Sequence, residues 1–233
     1  MKLFCISHAG GSSFSYSPWQ KMVPNGIELH PLDISGHGMK LNKQLNKNIY
    51  ENASELANDI FKSITKNEEY AIFGHSLGAI LAYEVYIELK KMNANLPIHI
   101  FFSGRENPCR AYNVLLNELS DEQFIAEISD SFNDDVEEIM ENEELKNIFL
   151  PILRNDFEMI ENYKFKEVIV DCNISVMNGK QDKTISLLDE IAWRKLTNKK
   201  CFFSDYYGGH FYLYDHDNIE NIFKHISERL LTR

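Results

Sequence analysis

The sequence predicts an α/β fold: a mainly parallel sheet of about six strands, helices on both faces, and one helical insertion. Three observations carry this. Short apolar runs suited to buried strands alternate with amphipathic helical stretches, the pattern of a doubly wound sheet. The stretch Tyr70 to Tyr83, YAIFGHSLGAILAY, passes from strand to helix through the tight junction Gly74-His75-Ser76-Leu77-Gly78. From about residue 105 to about 168 the strand signal vanishes and the pattern turns helical with acidic faces, too long a stretch for a simple crossover. At 233 residues the chain suits one well-buried domain, 1–233, carrying that insertion.

Leu3 to Ser7 reads as the first strand and runs into His8-Ala9-Gly10-Gly11, a small-residue loop where backbone N–H groups can approach a ligand. Ser12 to Met22 is turn-rich, then amphipathic around Trp19 and Met22. Ile27 to Leu32 is the second strand, leading to Ser35-Gly36-His37-Gly38. His37, between two glycines, reads as a solvated turn residue or a rim contact in preference to a catalytic base. Ile49 to Ile64 sets Ile49, Ala53, Leu56, Ala57, Ile60, Phe61 and Ile64 on one helical stripe. Tyr70 to Phe73 is the third strand, and the helix after Ser76 runs through Ala79, Leu81, Ala82, Val85, Tyr86 and Leu89. Pro97 ends that connection and Ile98 to Ser103 is the fourth strand.

Inside the insertion, Ser120-Asp121-Glu122-Gln123 fits a capping box. A second helix is expected near Asp135 to Met140, and a third carries Leu145, Ile148, Phe149, Ile152, Phe157 and Ile160, with Pro151 kinking or restarting it. The insertion enters where α/β sites sit, so a lid is expected over the alternative of a helical subdomain that only adds core. Ile174 to Met177 is the fifth strand, and Asn178-Gly179-Lys180-Gln181-Asp182 leaves it. Cys201 to Phe203 is the last, leading through Tyr206-Tyr207-Gly208-Gly209 to His210. The closing helix, Asn218 to Leu231, has Asp217 as its cap.

Composition narrows the function classes. A net charge of −11, from 24 basic and 35 acidic residues, argues against a generic binder of nucleic acid or anionic membrane. The N-terminus fits no signal peptide and no apolar run approaches about 18 residues, so a cytoplasmic protein is expected. Cys5, Cys109, Cys172 and Cys201 form no C-x-x-C pair and read as reduced thiols, with no metal site.

The chemistry starts at Ser76. A serine at the tip of a strained strand-to-helix turn needs neighbours without Cβ atoms, which Gly74 and Gly78 supply, and the turn aims the first helical N–H groups at whatever binds there. Ser76 is thus the candidate nucleophile. It needs a base near neutral pH, and the base needs a carboxylate. In this fold class the three come in the order Ser, Asp or Glu, His, each after a strand, and Ser76, Asp182 and His210 satisfy that order. Asp205 and Asp171 are the other candidate acids; Asp205 follows the same strand as His210 and Asp171 precedes its strand, so Asp182 is preferred. A second oxyanion donor is expected from the loop after the first strand, Ala9 first and Gly10 next.

Six spaced phrases, HAGG, GHSLGA, FFSGRENP, LPILRNDFEMIENY, G-K-Q-D and GGHFYL, together resemble the type II thioesterases that accompany non-ribosomal peptide and polyketide synthases. The resemblance spans nearly the whole chain. It implies an α/β-hydrolase with a helical lid that hydrolyses acyl thioesters on the phosphopantetheine arms of acyl or peptidyl carrier proteins, without a cofactor of its own and as a monomer. It implies the triad Ser76, Asp182 and His210 and backbone oxyanion donors at Ala9 and Leu77, with Gly74, His75 and Gly78 shaping the elbow. Two positions depart from the family: Ser7 replaces a proline before HAGG, and Ser35-Gly36-His37-Gly38 replaces the commoner P-G-R-G. Neither touches the triad. The triad alone does not separate a thioesterase from a carboxylesterase or lipase, or from an acyltransferase that excludes water. Arg105, Arg110, Lys40, Lys43 and Lys47 are candidates for a basic carrier-docking patch, with a plain solvated surface as the alternative. Phe14, Tyr16, Phe211 and Tyr212 are candidates for an acyl pocket, with plain core as theirs.

Overall fold

Six strands, all parallel, form one sheet: β1 (Lys2–Ile6), β2 (Glu28–Leu32), β3 (Tyr70–His75), β4 (His99–Ser103), β5 (Asn173–Gly179) and β6 (Cys201–Tyr206). The computed structural model describes residues 1–108, 115–132, 142–185 and 190–232. Arg110, Cys109 and the helix expected near Asp135 to Met140 lie outside the described residues. The strand order is β2-β1-β3-β4-β5-β6, so the chain reverses its direction of travel across the sheet between β1 and β3. Connections from β1 and β3 diverge there and leave a crevice at the carboxyl edge, the place where open α/β sheets bind ligands.

Side chains alternate along each strand, so the sheet feeds two cores. Phe4, Ile6, Ile72, Ile100 and Phe102 pack against α2 (Ile49–Ser63) and α3 (Leu77–Lys91). Leu3, Cys5, Ala71, Phe73 and Phe101 face the other way, against Trp19 of the short α1 (Ser17–Gln20) and the apolar stripe of the closing helix. Asn48 caps α2, its side chain accepting from the Glu51 N–H, and Phe61, counted in the apolar stripe, is exposed.

Between β4 and β5 lie α4 (Asp121–Phe132) and α5 (Glu143–Asn162); α6 (Glu190–Lys195) and α7 (His216–Leu230) follow. Ser120 and Gln123 make the reciprocal capping bonds expected before α4, at 3.3 and 3.2 Å. α5 does not restart at Pro151: it runs through the proline for 20 residues, held by the buried Leu150, Ile152, Leu153 and Phe157. Its first turns leave Leu145, Ile148 and Phe149 largely exposed, so only the second half of the expected stripe is core. The cap of α7 is Asp215, not Asp217. A 3-10 turn, Tyr212–Tyr214, ends at Asp215, whose carboxylate then accepts from the Asp217 and Asn218 N–H groups. Among the described residues no helix is long and apolar enough to cross a membrane, and no cluster of His, Cys, Asp and Glu is placed to hold a metal ion. Cys5 and Cys172 are buried free thiols, and Cys201 is half-buried.

Candidate active site

Ser76 stands between β3 and α3 with φ 57° and ψ −114°, a left-handed conformation that a residue with a Cβ adopts only under constraint. The constraint is visible on both sides. A Cβ on Gly74 would lie 2.0 Å from the Gly78 carbonyl oxygen, and one on Gly78 would lie 2.2 Å from the Ile6 carbonyl oxygen. Only glycines let α3 start against the end of β1. The Ser76 N–H donates to the Ser103 carbonyl at 2.8 Å, which ties the turn to β4. As the first helical residue, Leu77 has no intrahelical partner for its N–H.

His210 follows β6 and Asp182 follows β5, so the parallel sheet brings both to the edge that carries Ser76. His210 Nδ1 donates to Asp182 Oδ2 at 2.8 Å, and both side chains are almost wholly buried. Thr184 holds the other carboxylate oxygen, its hydroxyl donating to Oδ1 at 2.6 Å and its N–H at 2.9 Å. Burial pushes the Asp182 pKa up, but the hydrogen bond and charge of His210 and the two Thr184 bonds outweigh it and leave the carboxyl below its ordinary value. With a carboxylate on Nδ1, the unprotonated ring nitrogen is Nε2, the form a base requires. Among the described residues no hydrogen bond joins the Ser76 hydroxyl to that imidazole; in unliganded hydrolases this contact is often long and tightens with substrate.

Aromatic and imidazole rings surround His210. His75 lies 4.9 Å from His210 between ring centroids, Phe132 of α4 4.6 Å and Phe211 5.1 Å. His75 is fully buried, with Nδ1 on the Ser103 hydroxyl at 2.9 Å, and Ser103 in turn meets the Tyr212 hydroxyl at 2.7 Å. Burial, then the His210 and His8 charges, keeps His75 well below the ordinary histidine pKa. His8, 4.9 Å from Phe211, is pushed down to about 4, chiefly by burial. A cavity of about 270 Å³ opens beside His210, lined by Ser131, Phe132, Gln181, Lys183 and Gly209.

Of the oxyanion candidates, Ala9 has an N–H without a partner among the described residues, while the Gly10 N–H donates to Asp156 of α5 at 2.7 Å. Gly10 is therefore already engaged. The reading of His37 as a solvated residue is corrected: it is 3% exposed and paired with Asp156 at 2.9 Å, because α5 covers its loop. Phe14 is 62% exposed and Tyr16 belongs to the α1 core, its hydroxyl on the Ile6 carbonyl; Phe211 lies against His210, and Tyr212 is buried beneath it on Ser103. Asp205 stays exposed in β6, and Asp171 precedes β5. Arg105 is half-buried, and Lys40 pairs with Asp59 at 2.7 Å; Lys43 and Lys47 are exposed. Phe132 and Thr184 are the residues sequence reasoning missed.

The model of the thioesterase domain family matches residues 1–230. This chain belongs to the thioesterase family. The gramicidin S biosynthesis protein GrsT of Aneurinibacillus migulanus is 31% identical over 219 residues, covering 92% of this thioesterase and 84% of GrsT. The crystal structure of ClbQ from the colibactin NRPS/PKS pathway matches with a TM-score of 0.91 at 29% identity, covering 99% of this chain and 97% of ClbQ. YbtT, the type II thioesterase of the yersiniabactin NRPS/PKS pathway, matches at 0.88 and 26% identity, over 99% of this chain and 93% of its own. The sheet of this thioesterase is accordingly that of an α/β-hydrolase.

Proposed function

We propose that this thioester hydrolase clears acyl groups from the phosphopantetheine arms of carrier proteins in a peptide or polyketide synthase, through Ser76, His210 and Asp182. The observation that carries the reading is the strained Ser76 turn at the start of α3, on the same sheet edge as a buried His210–Asp182 pair. Ser76 Oγ attacks the thioester carbonyl while His210 Nε2 takes its proton, and Asp182 stabilises the imidazolium through Nδ1–H. The N–H groups of Leu77 and Ala9 receive the oxyanion, each worth about 3 to 4 kcal/mol in comparable sites. The C–S bond breaks, His210 returns the proton to the leaving sulfur, and a water activated by the same imidazole then releases the acid. A thiol of pKa near about 8.5 leaves with little assistance. No cofactor is required by these steps.

The helices between β4 and β5 act as a lid, with the opening beside His210 admitting the pantetheine end. The relatives named above from gramicidin S, colibactin and yersiniabactin assembly support the carrier-bound substrate. The test is hydrolysis of an acetyl-loaded carrier protein against an aryl acetate, for wild type and Ser76→Ala. Efficient turnover of the carrier substrate, abolished in Ser76→Ala, is expected. Turnover of the aryl ester alone would make the chain a carboxylesterase; acyl transfer without free acid would make it an acyltransferase.

A further inference from the structure

The buried pair His37–Asp156 lies outside the proposed triad, yet it grips the loop that carries Ala9. Asp156, on α5, has no exposed surface, and its Oδ2 accepts both the Gly10 N–H at 2.7 Å and His37 Nε2 at 2.9 Å. His37 Nδ1 faces the Ser35 carbonyl at 3.2 Å. Both partners of the ring are acceptors, an arrangement that stabilises the protonated imidazole. The titratable groups bearing on it are Asp156 from α5, Asp33 after β2 and His8 after β1. Burial lowers its pKa, but the hydrogen bond and charge of Asp156, the Ser35 carbonyl and Asp33 outweigh this and leave it raised.

The peptide between Ala9 and Gly10 is held at both ends. Its carbonyl accepts from His8 Nδ1 at 2.9 Å and its N–H is taken by Asp156. Gly10 has φ +72°, and a Cβ there would lie 2.9 Å from Leu153 Cδ1, so α5 sits directly on the loop. On either side of Asp156, Asn155 Nδ2 donates to the Asn46 carbonyl at 3.0 Å and Met159 Sδ accepts from Asn52 Nδ2 at 3.2 Å. One face of α5 is thus stitched to the connections that follow β1 and β2.

We infer that Asp156 is a positioning residue: by occupying the Gly10 N–H and fixing that peptide plane, it leaves the Ala9 N–H as the donor aimed at the oxyanion, with His37 supplying the counter-charge. The inference rests on the Ser76 reading above. It makes the oxyanion loop competent only while α5 is docked.

The test compares wild type, Asp156→Ala and Asp156→Asn on acetyl-N-acetylcysteamine, a small thioester. In Asp156→Ala, kcat falls about 10- to 100-fold with KM within about twofold, the signature of a donor misplaced in the transition state. Asp156→Asn keeps an acceptor for Gly10 and recovers kcat to within about fivefold of wild type. If Asp156→Ala does not fold, the double variant His37→Leu with Asp156→Leu removes both buried charges together and is expected to show the same kcat loss. Hydrogen exchange at the Gly10 amide needs no substrate: it is slow in wild type and fast once Asp156 is gone. A folded variant left without any acceptor for Gly10, Asp156→Ala or the double leucine variant, that keeps wild-type kcat, a loss confined to KM, or fast Gly10 exchange in wild type overturns the inference. A wild type inert on the thioester sinks the Ser76 reading instead, and the Gly10 exchange still decides whether Asp156 clamps the loop.

Discussion

Two constellations among the described residues combine histidine with serine, and they differ in backbone and in charge. At the carboxyl edge of the sheet, His210 has a carboxylate on Nδ1 and lies at the edge that bears the strained Ser76 turn. Between the sheet and α7, the Ser175 hydroxyl bridges His99 Nε2 at 2.8 Å and His225 Nε2 at 2.9 Å, and His225 Nδ1 reaches the Ser204 hydroxyl at 3.0 Å. There the serines lie within the regular strands β5 and β6, with ordinary extended backbone and no helix start behind them. The His99 ring stacks on Phe101 at 4.3 Å, as a packing element would. A hydroxyl next to an imidazole is thus a structural bond in one place. It becomes a candidate nucleophile and base in the other because of the turn, the helix start behind it, and Asp182.

The comparison breaks most sharply under substitution. Ser76→Ala and Asp182→Asn should each lower kcat for a thioester by about 10⁴-fold, the second by favouring the wrong tautomer. Ser175→Ala should leave kcat within about twofold and instead cost roughly 1 to 3 kcal/mol of stability, since two buried imidazoles each lose a hydrogen bond. Steady-state kinetics and urea unfolding on the same preparations separate the two outcomes.

Acid sharpens the contrast. Burial, with the charge of Arg229 adding to it, pushes His225 down to about 4. Above pH ~6.5 the ring is neutral in both folded and unfolded chains; below it the unfolded chain takes up a proton that the folded one refuses until about pH 4. Stability therefore falls as pH drops through that window, by about 3 kcal/mol from this residue alone. Urea titrations from pH 7 to 4 should show the decline, and His225→Asn should make it shallower, the buried His8 and His75 keeping the remainder. The smallest effect expected is at Thr184. Thr184→Val removes one of its two bonds to Asp182 and should lower kcat about threefold to tenfold without moving the melting temperature by more than a few degrees.

Much of the fold was legible because strand and helix periods alternate cleanly, and because the Gly-Ser-Gly junction demands a left-handed turn whatever surrounds it. The proposed triad was legible because each member follows a strand, and parallel strands deliver their loops to one edge. Strand order was not, since nothing local records that β1 lies between β2 and β3. His37 was misread because glycines on both sides look like a solvated loop, and its partner lies 119 residues away. The signal was on the other side: Asp156 sits among Ile152, Met159 and Ile160, a carboxylate on the apolar face of an amphipathic helix, and such a residue is buried only with a partner. The cap at Asp215 is hidden in the sequence because the 3-10 turn before it leaves no periodic trace, so the pattern points to Asp217.

The close seating of Gly78 on the Ile6 carbonyl has a practical consequence for anyone redesigning this protein. Because that contact is backbone on backbone, the seating of the α3 start against the end of β1 does not depend on which side chains fill the segment between β4 and β5. That segment is therefore a natural unit for transplantation. A chimera carrying it from another member of the family should keep its chemistry while changing which acyl groups it accepts, provided the donor brings an acceptor to the place of Asp156. A transplant lacking one would exchange substrate range at the cost of speed.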